Sequence, residues 1–223
     1  MDKKLFLQAV SKFLLGAAVV GALLFFPAGT LRYWNAWLFM GILFIPMFLA
    51  GILLMWKNPE LLRKRLQAKE NQSEQKTVIL LSGIMFLCGF LICGFHYRFG
   101  WPACPGWAVS AAVIVFLAAY GMYAEVLREN TYLSRTVEVQ ENQRVIDTGL
   151  YGVVRHPMYC ATIFLFLSMP LVLGSWLAFL IFLGYPLLIA KRIRNEEQVL
   201  EKELAGYSAY KDKVKYKVIP FVW

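Results

Sequence analysis

Residues 149–197, GLYGVVRHPMYCATIFLFLSMPLVLGSWLAFLIFLGYPLLIAKRIRNEE, decide the fold. The polar cluster Arg155-His156-Pro157-Met158-Tyr159 leads into an apolar run from Met158 to Ala190, which is broken at Leu173-Gly174-Ser175-Trp176. Lys191 to Glu197 then restore charge. Each arm carries about 15–17 apolar residues, at or below the ~20 that cross a bilayer. The pattern predicts two antiparallel helices joined at Gly174-Ser175, with their polar ends side by side. Pro157 suits a first helical turn, where a missing N–H does no harm. Gly149 and Gly152 permit a tight turn just before it. Polar groups at the edge of hydrocarbon are expensive, so this cluster is expected to have a task.

The rest of the chain repeats the apolar theme. Of 223 residues, 59% are apolar and 16% aromatic, and the mean hydropathy is positive; an average globular chain is about 45–50% apolar. Leu5–Phe26, Tyr33–Trp56, Thr77–Phe95 and Trp107–Leu127 are each long enough to span a membrane. Asp2-Lys3-Lys4 resembles the charged start of a signal peptide, but the run behind it exceeds the usual ~7–15 residues. It is expected to be a retained span. The reading is an all-α, polytopic membrane bundle of about six transmembrane helices, ending in a helical hairpin with a cytosolic extension.

The formal charge of +9 is uneven. Lys57, Arg63, Lys64, Arg65, Lys69 and Lys76 fill the loop 57–76, and Arg128, Arg135, Arg144 and Arg155 the loop 128–157. The tail adds Lys191, Arg192, Arg194, Lys202, Lys211, Lys213, Lys215 and Lys217, whereas the alternate loops carry little beyond Arg32 and Arg98. This asymmetry predicts both termini and the basic loops in the cytoplasm, next to anionic membrane lipids. Nucleic acid is a poor partner, because no basic patch sits on a soluble domain. Cys88, Cys93, Cys104 and Cys160 have neither zinc nor disulfide spacing, so they read as packing residues and no metal is expected.

The chain divides into residues 1–127, four apolar helices with the loop 57–76, and residues 128–223, which carry the polar motifs. Oligomeric state is not legible. Pro59–Gln72 is expected to be a surface helix, and its Leu61, Leu62, Arg65, Leu66 and Lys69 suit either the membrane surface or a solvated connector. Thr136–Gln140 alternates and could be extended. Trp34, Trp37, Trp56, Trp101 and Trp107 fall near span ends, as an interfacial belt requires.

Two constellations meet at the open end of the hairpin. One is Arg155-His156-Pro157-Met158-Tyr159. The other is Arg192 with Glu196, four apart and so on one helix face. Gly149-Leu-Tyr-Gly-Val-Val-Arg-His-Pro-Met-Tyr159, Pro170-Leu-x-Leu-Gly-Ser-Trp176, Arg192-x-x-x-Glu196-Glu197, Tyr207-x-x-Tyr210 and Val218-Ile-Pro-Phe221 follow in order. Together, over about residues 130–223, they resemble the isoprenylcysteine carboxyl methyltransferase family. Phospholipid methyltransferases and membrane sterol reductases share elements of the Arg-His-Pro-x-Tyr motif.

The resemblance implies an integral-membrane methyltransferase using S-adenosyl-L-methionine, with a lipophilic or prenylated acceptor entering from the bilayer. It places Tyr151, Val154, His156, Pro157, Tyr159 and the acidic Glu197 at the cofactor, and Arg192 and Glu196 at the catalytic centre. The residues are compatible with that chemistry. No Gly-x-Gly-x-x-Gly follows a strand, so a soluble dinucleotide-type domain is absent. A carboxylate acceptor is already ionised near neutral pH and needs no general base. Arg192 is suited to clamp it through two parallel hydrogen bonds, and Glu196 to orient Arg192 or face the cofactor's cation.

Blander readings stay open at each position. Arg155 and Arg192 also suit lipid phosphate, His156 a helix cap, and Glu196-Glu197 a solvated face. Tyr207 and Tyr210 are expected to pack the tail. Glu138 has no assigned role, and Glu125 is a candidate on topology alone. Phospholipid N-methylation, a NADPH-dependent sterol-type reduction and a non-catalytic membrane protein are the competing functions.

Overall fold

Helices form wherever the apolar runs fall. The computed structural model describes residues 3–66, 73–134, 136, 137 and 139–223. Among these the regular elements are α1 (Lys3–Ala28), α2 (Trp34–Lys57), α3 (Pro59–Leu66), α4 (Ser73–Arg98), α5 (Gly106–Glu129), a 3-10 turn (Gly149–Gly152), α6 (Pro157–Val172), α7 (Trp176–Phe182), α8 (Tyr185–Glu203) and α9 (Tyr207–Lys213). Five stretches are long and apolar enough to cross a membrane: α1, α2, α4 from Gln75, α5, and Trp176–Glu203, which joins α7 to α8. At 16 residues, α6 is shorter. The protein is a polytopic helical membrane bundle.

The last long helix of the sequence reading is divided. Pro186 has no N–H for a bond to the preceding turn, and the chain breaks at Leu183-Gly184 before α8 resumes. The alternating piece 136–140 joins no ladder among the described residues, and Glu138 and Arg135 lie outside them. So do residues 67–72, including Lys69, the second half of the expected surface helix. In its first half, α3, two leucines turn toward the rest of the protein. Leu61 and Leu62 are buried, and Leu61 packs with Val126, Leu133 and Tyr151. Arg65 sits over the Tyr123 ring, 5.5 Å from its centroid, and donates to the Tyr123 hydroxyl.

The main core draws on both halves of the chain, with Leu24, Phe39, Cys93 and Phe116 packed among Val172, Phe182, Ile189 and Ile193. At the α1–α4 contact, a Cβ on Gly94 would lie 2.7 Å from the Leu24 carbonyl oxygen, so only glycine lets these backbones approach. Outward, Leu14, Leu15, Phe26, Ile45, Leu80, Ile114 and Leu187 are exposed. Such broad apolar exposure is rare on soluble monomers and matches a lipid-facing perimeter. Trp34, Trp56 and Trp107 are exposed near helix ends.

The Gly174-Ser175 turn is fixed by the N-terminal helices. The Tyr33 hydroxyl donates to the Leu173 carbonyl (2.5 Å) and Asn35 Nδ2 to that of Val172 (2.8 Å). Ser175 caps α7 by accepting from the Ala178 N–H (3.2 Å). All four cysteines are free thiols.

Candidate functional site

The motif residues gather because α6 and α8 run back past each other from that turn. Just before α6, Gly149 has φ +50°, and the Glu129 carboxylate occupies the space of a Cβ, 2.4 Å from where one would sit. The Thr148 hydroxyl donates to the same carboxylate (2.8 Å), which pins the 3-10 turn to the end of α5. Pro157 opens α6 with His156 as the flanking residue.

The C-terminal tail is bound to the motif by main-chain bonds. Arg155 N donates to the Tyr216 carbonyl (2.9 Å) and His156 N to that of Lys217 (2.8 Å). The Arg155 guanidinium, buried, donates through Nη1 to the Val214 (2.7 Å) and Lys215 (2.9 Å) carbonyls. Its Nε donates to Glu197 Oε1 (2.8 Å). Glu197 also receives His156 Nε2 (3.2 Å) and lies 3.1 Å from Lys217 Nζ. Buried carboxylates are tolerated when paired and hydrogen-bonded, and Glu197 is both.

Its neighbour Glu196 is differently placed. The Tyr159 hydroxyl donates to Glu196 Oε2, while His156 Nδ1 stands 3.9 Å from Oε1. Arg192 Nε donates to the Tyr159 hydroxyl (2.8 Å). Arg192 and Glu196 are thus linked through Tyr159. The other side of Arg192 meets α4, where Nη1 donates to Gln75 Oε1 (3.0 Å). Gln75 is fully buried, and its Nε2 donates to Asn195 Oδ1 (2.7 Å).

These groups border a partly open cleft. Tyr151, His156, Tyr159, Arg192 and Glu196 line it. Val154, Pro157 and Glu197 are not in its lining, and all three are buried. Leu133, Val137 and Ile146 form an apolar wall, and Tyr207 and Tyr210 a wall from α9. Those two tyrosines do pack the tail, in a cluster with Leu204 and Val214, and they face the cleft as well. Burial pushes the phenols of Tyr151, Tyr207 and Tyr210 well above their usual value, so all three stay protonated donors. Glu125 is elsewhere, in a surface pair with Arg128.

Sequence reasoning missed Gln75, Lys217 and the 130–146 wall. Gln75 carried one faint signal, an amide just ahead of the apolar run of α4. Nothing in the sequence matched the wall residues to the motif.

The sequence model of the isoprenylcysteine carboxyl methyltransferase (ICMT) family matches residues 110–202. The match takes in α6, α7, α8 as far as Lys202, and with it the Arg192–Glu197 segment. The chain is also 30% identical over 91 residues to a Delta(14)-sterol reductase of Mus musculus. That alignment covers 40% of this chain and 22% of the reductase, so the chain spans about a fifth of that relative's length.

Proposed function

With residues 110–202 matching the ICMT family, we propose that this membrane protein is an S-adenosyl-L-methionine-dependent methyltransferase. It acts on a lipid-like acceptor, most simply the carboxylate of an isoprenylcysteine-type molecule. The observation that carries this reading is the cleft itself. Tyr151, His156, Tyr159, Arg192 and Glu196 converge on it from three elements, at the end of the bundle that meets the basic loops. The charge asymmetry supports a cytosolic position for this end and for both termini.

The residues fit such a cofactor. Glu196 supplies negative charge for a cationic ligand in the cleft. Tyr151, His156 and Tyr159 would hold the cofactor, and Val154, Pro157 and Glu197 would fix them from behind. The cofactor supplies an electrophilic methyl group on a sulfonium centre. Arg192 clamps the acceptor carboxylate, and Tyr159 ties that clamp to Glu196. The acceptor is already ionised, so no residue removes a proton. Alignment of two bound reactants is worth up to about 7–11 kcal/mol.

Calorimetric titration of the purified protein with S-adenosylhomocysteine tests the class; absence of saturable binding would falsify it. Arg192→Ala is expected to abolish methylation of an S-farnesylcysteine-type carboxylate while leaving S-adenosylhomocysteine affinity within about twofold. Unchanged turnover would remove the clamp. The likeness to the Mus musculus reductase favours a second reading, a nicotinamide-dependent sterol-type reduction in the same cleft. Saturable NADPH binding without S-adenosylhomocysteine binding would put that reading first.

A further inference from the structure

Tyr207 and Tyr210 are one helical turn apart, both buried and both lining the cleft, yet their hydroxyls differ. Tyr210 donates to the Tyr151 carbonyl (2.7 Å). The Tyr207 hydroxyl is buried with no hydrogen-bond partner among the described residues, on a side chain only 4% exposed. Buried polar groups are nearly always satisfied, and an exception calls for an explanation. Packing does not supply one. The ring sits in the apolar cluster of Leu204, Tyr210 and Val214, where phenylalanine would serve equally.

We infer that the Tyr207 hydroxyl is a ligand contact that hydrogen-bonds the charged amino-acid end of the adenosyl cofactor. The inference rests on the methyltransferase reading. An adenosyl cofactor carries a flat, weakly polar base at one end and an ammonium and a carboxylate at the other. Tyr207 lines the same cleft as Arg155, Arg192 and Glu196, the charged side chains available to that end of the cofactor. A phenol can donate to a carboxylate or accept from an ammonium, so one hydroxyl serves either half of that end. Tyr207 is then the α9 counterpart of Tyr159 on α6, and the tail becomes part of the binding surface.

The test is Tyr207→Phe, with Tyr210→Phe as its control. Each is titrated calorimetrically with S-adenosylhomocysteine and with 5′-methylthioadenosine, which lacks the amino-acid group, and melted without ligand. Tyr207→Phe is expected to weaken S-adenosylhomocysteine about tenfold, the scale of one hydrogen bond, and to leave 5′-methylthioadenosine unchanged. Its unliganded melting temperature should hold or rise, because an unsatisfied hydroxyl is removed. That of Tyr210→Phe should fall. Unchanged S-adenosylhomocysteine affinity, an equal loss for both probes, or a lowered unliganded melting temperature in Tyr207→Phe would each overturn the assignment. Failure of the wild-type protein to bind S-adenosylhomocysteine would instead remove the methyltransferase reading on which it stands.

Discussion

The chain has two histidines, both buried, at opposite ends of the bundle. His96, near the Gly174-Ser175 turn, contacts the Pro102 carbonyl through Nε2 (3.1 Å) and Ser175 Oγ through Nδ1 (3.1 Å). A carbonyl only accepts, so Nε2 carries the hydrogen and Nδ1 accepts from the serine. Both ring nitrogens are used. His156, at the basic end, has one nitrogen on Glu197 and the other facing Glu196 across 3.9 Å, beside open space. Burial of a polar group in a membrane bundle therefore does not by itself mark a site. What separates the two ends is whether the network closes on itself or stops at a cleft.

The sharpest way to break this comparison is to open the network that supports the cleft. Arg155→Ala removes one of the three cationic or donor partners of Glu197 and the guanidinium bonds to Val214 and Lys215. Losing one partner of a buried pair costs about 3–5 kcal/mol. The expected outcome is a large fall in thermal stability together with loss of S-adenosylhomocysteine binding, because the tail that carries Tyr207 is released. Melting in detergent with and without ligand checks both. A stable variant with normal affinity would mean that the tail does not depend on Arg155.

How much of this could be read in the sequence follows the range of the interactions. The apolar runs and the Gly174-Ser175 break depend on local pattern, and helices appear where they fall. Because the hairpin fixes which ends meet, the approach of His156 and Tyr159 to Arg192 and Glu196 was also legible. The division of roles between Glu196 and Glu197 was not. Adjacent acids look alike in a sequence, and their difference comes from Arg155 and Lys217, the latter contributed by the tail. The break at Leu183-Gly184 was foreshadowed by Pro186, but the surrounding apolar residues masked it. Gln75 lies more than a hundred positions from Arg192, just ahead of the apolar run of α4. Its amide mattered only once α4 was laid against α8.

Gln75 sharpens the comparison from the other half of the chain. Gln75→Leu deprives the Arg192 guanidinium of one acceptor, and a hydrogen bond to a charged group is worth about 1.5–3 kcal/mol. As a positioning residue it should act on the acceptor alone. The KM for an S-farnesylcysteine-type carboxylate should rise, and S-adenosylhomocysteine affinity should stay within about twofold. Gln75→Glu, which keeps an oxygen for Arg192, should recover part of the loss. Equal loss of both affinities would show that Gln75 serves the packing of α4 on α8 and not the clamp.

The smallest effect belongs at the closed end. Tyr33→Phe removes the hydroxyl that donates to the Leu173 carbonyl and leaves the ring stacked on Tyr97, with centroids 4.4 Å apart. The carbonyl belongs to the last turn before Gly174, so the loss falls on the start of the hairpin. A single neutral hydrogen bond is worth about 1 kcal/mol, a shift of a few degrees in melting temperature. S-adenosylhomocysteine affinity should not move, because α6 separates this turn from His156 and the Gly174 end shares no side chain with the cleft. A change in affinity comparable to that of Tyr207→Phe would mean that α6 transmits strain along its length. The two ends would then be one network, and the contrast between the two histidines would lose its meaning.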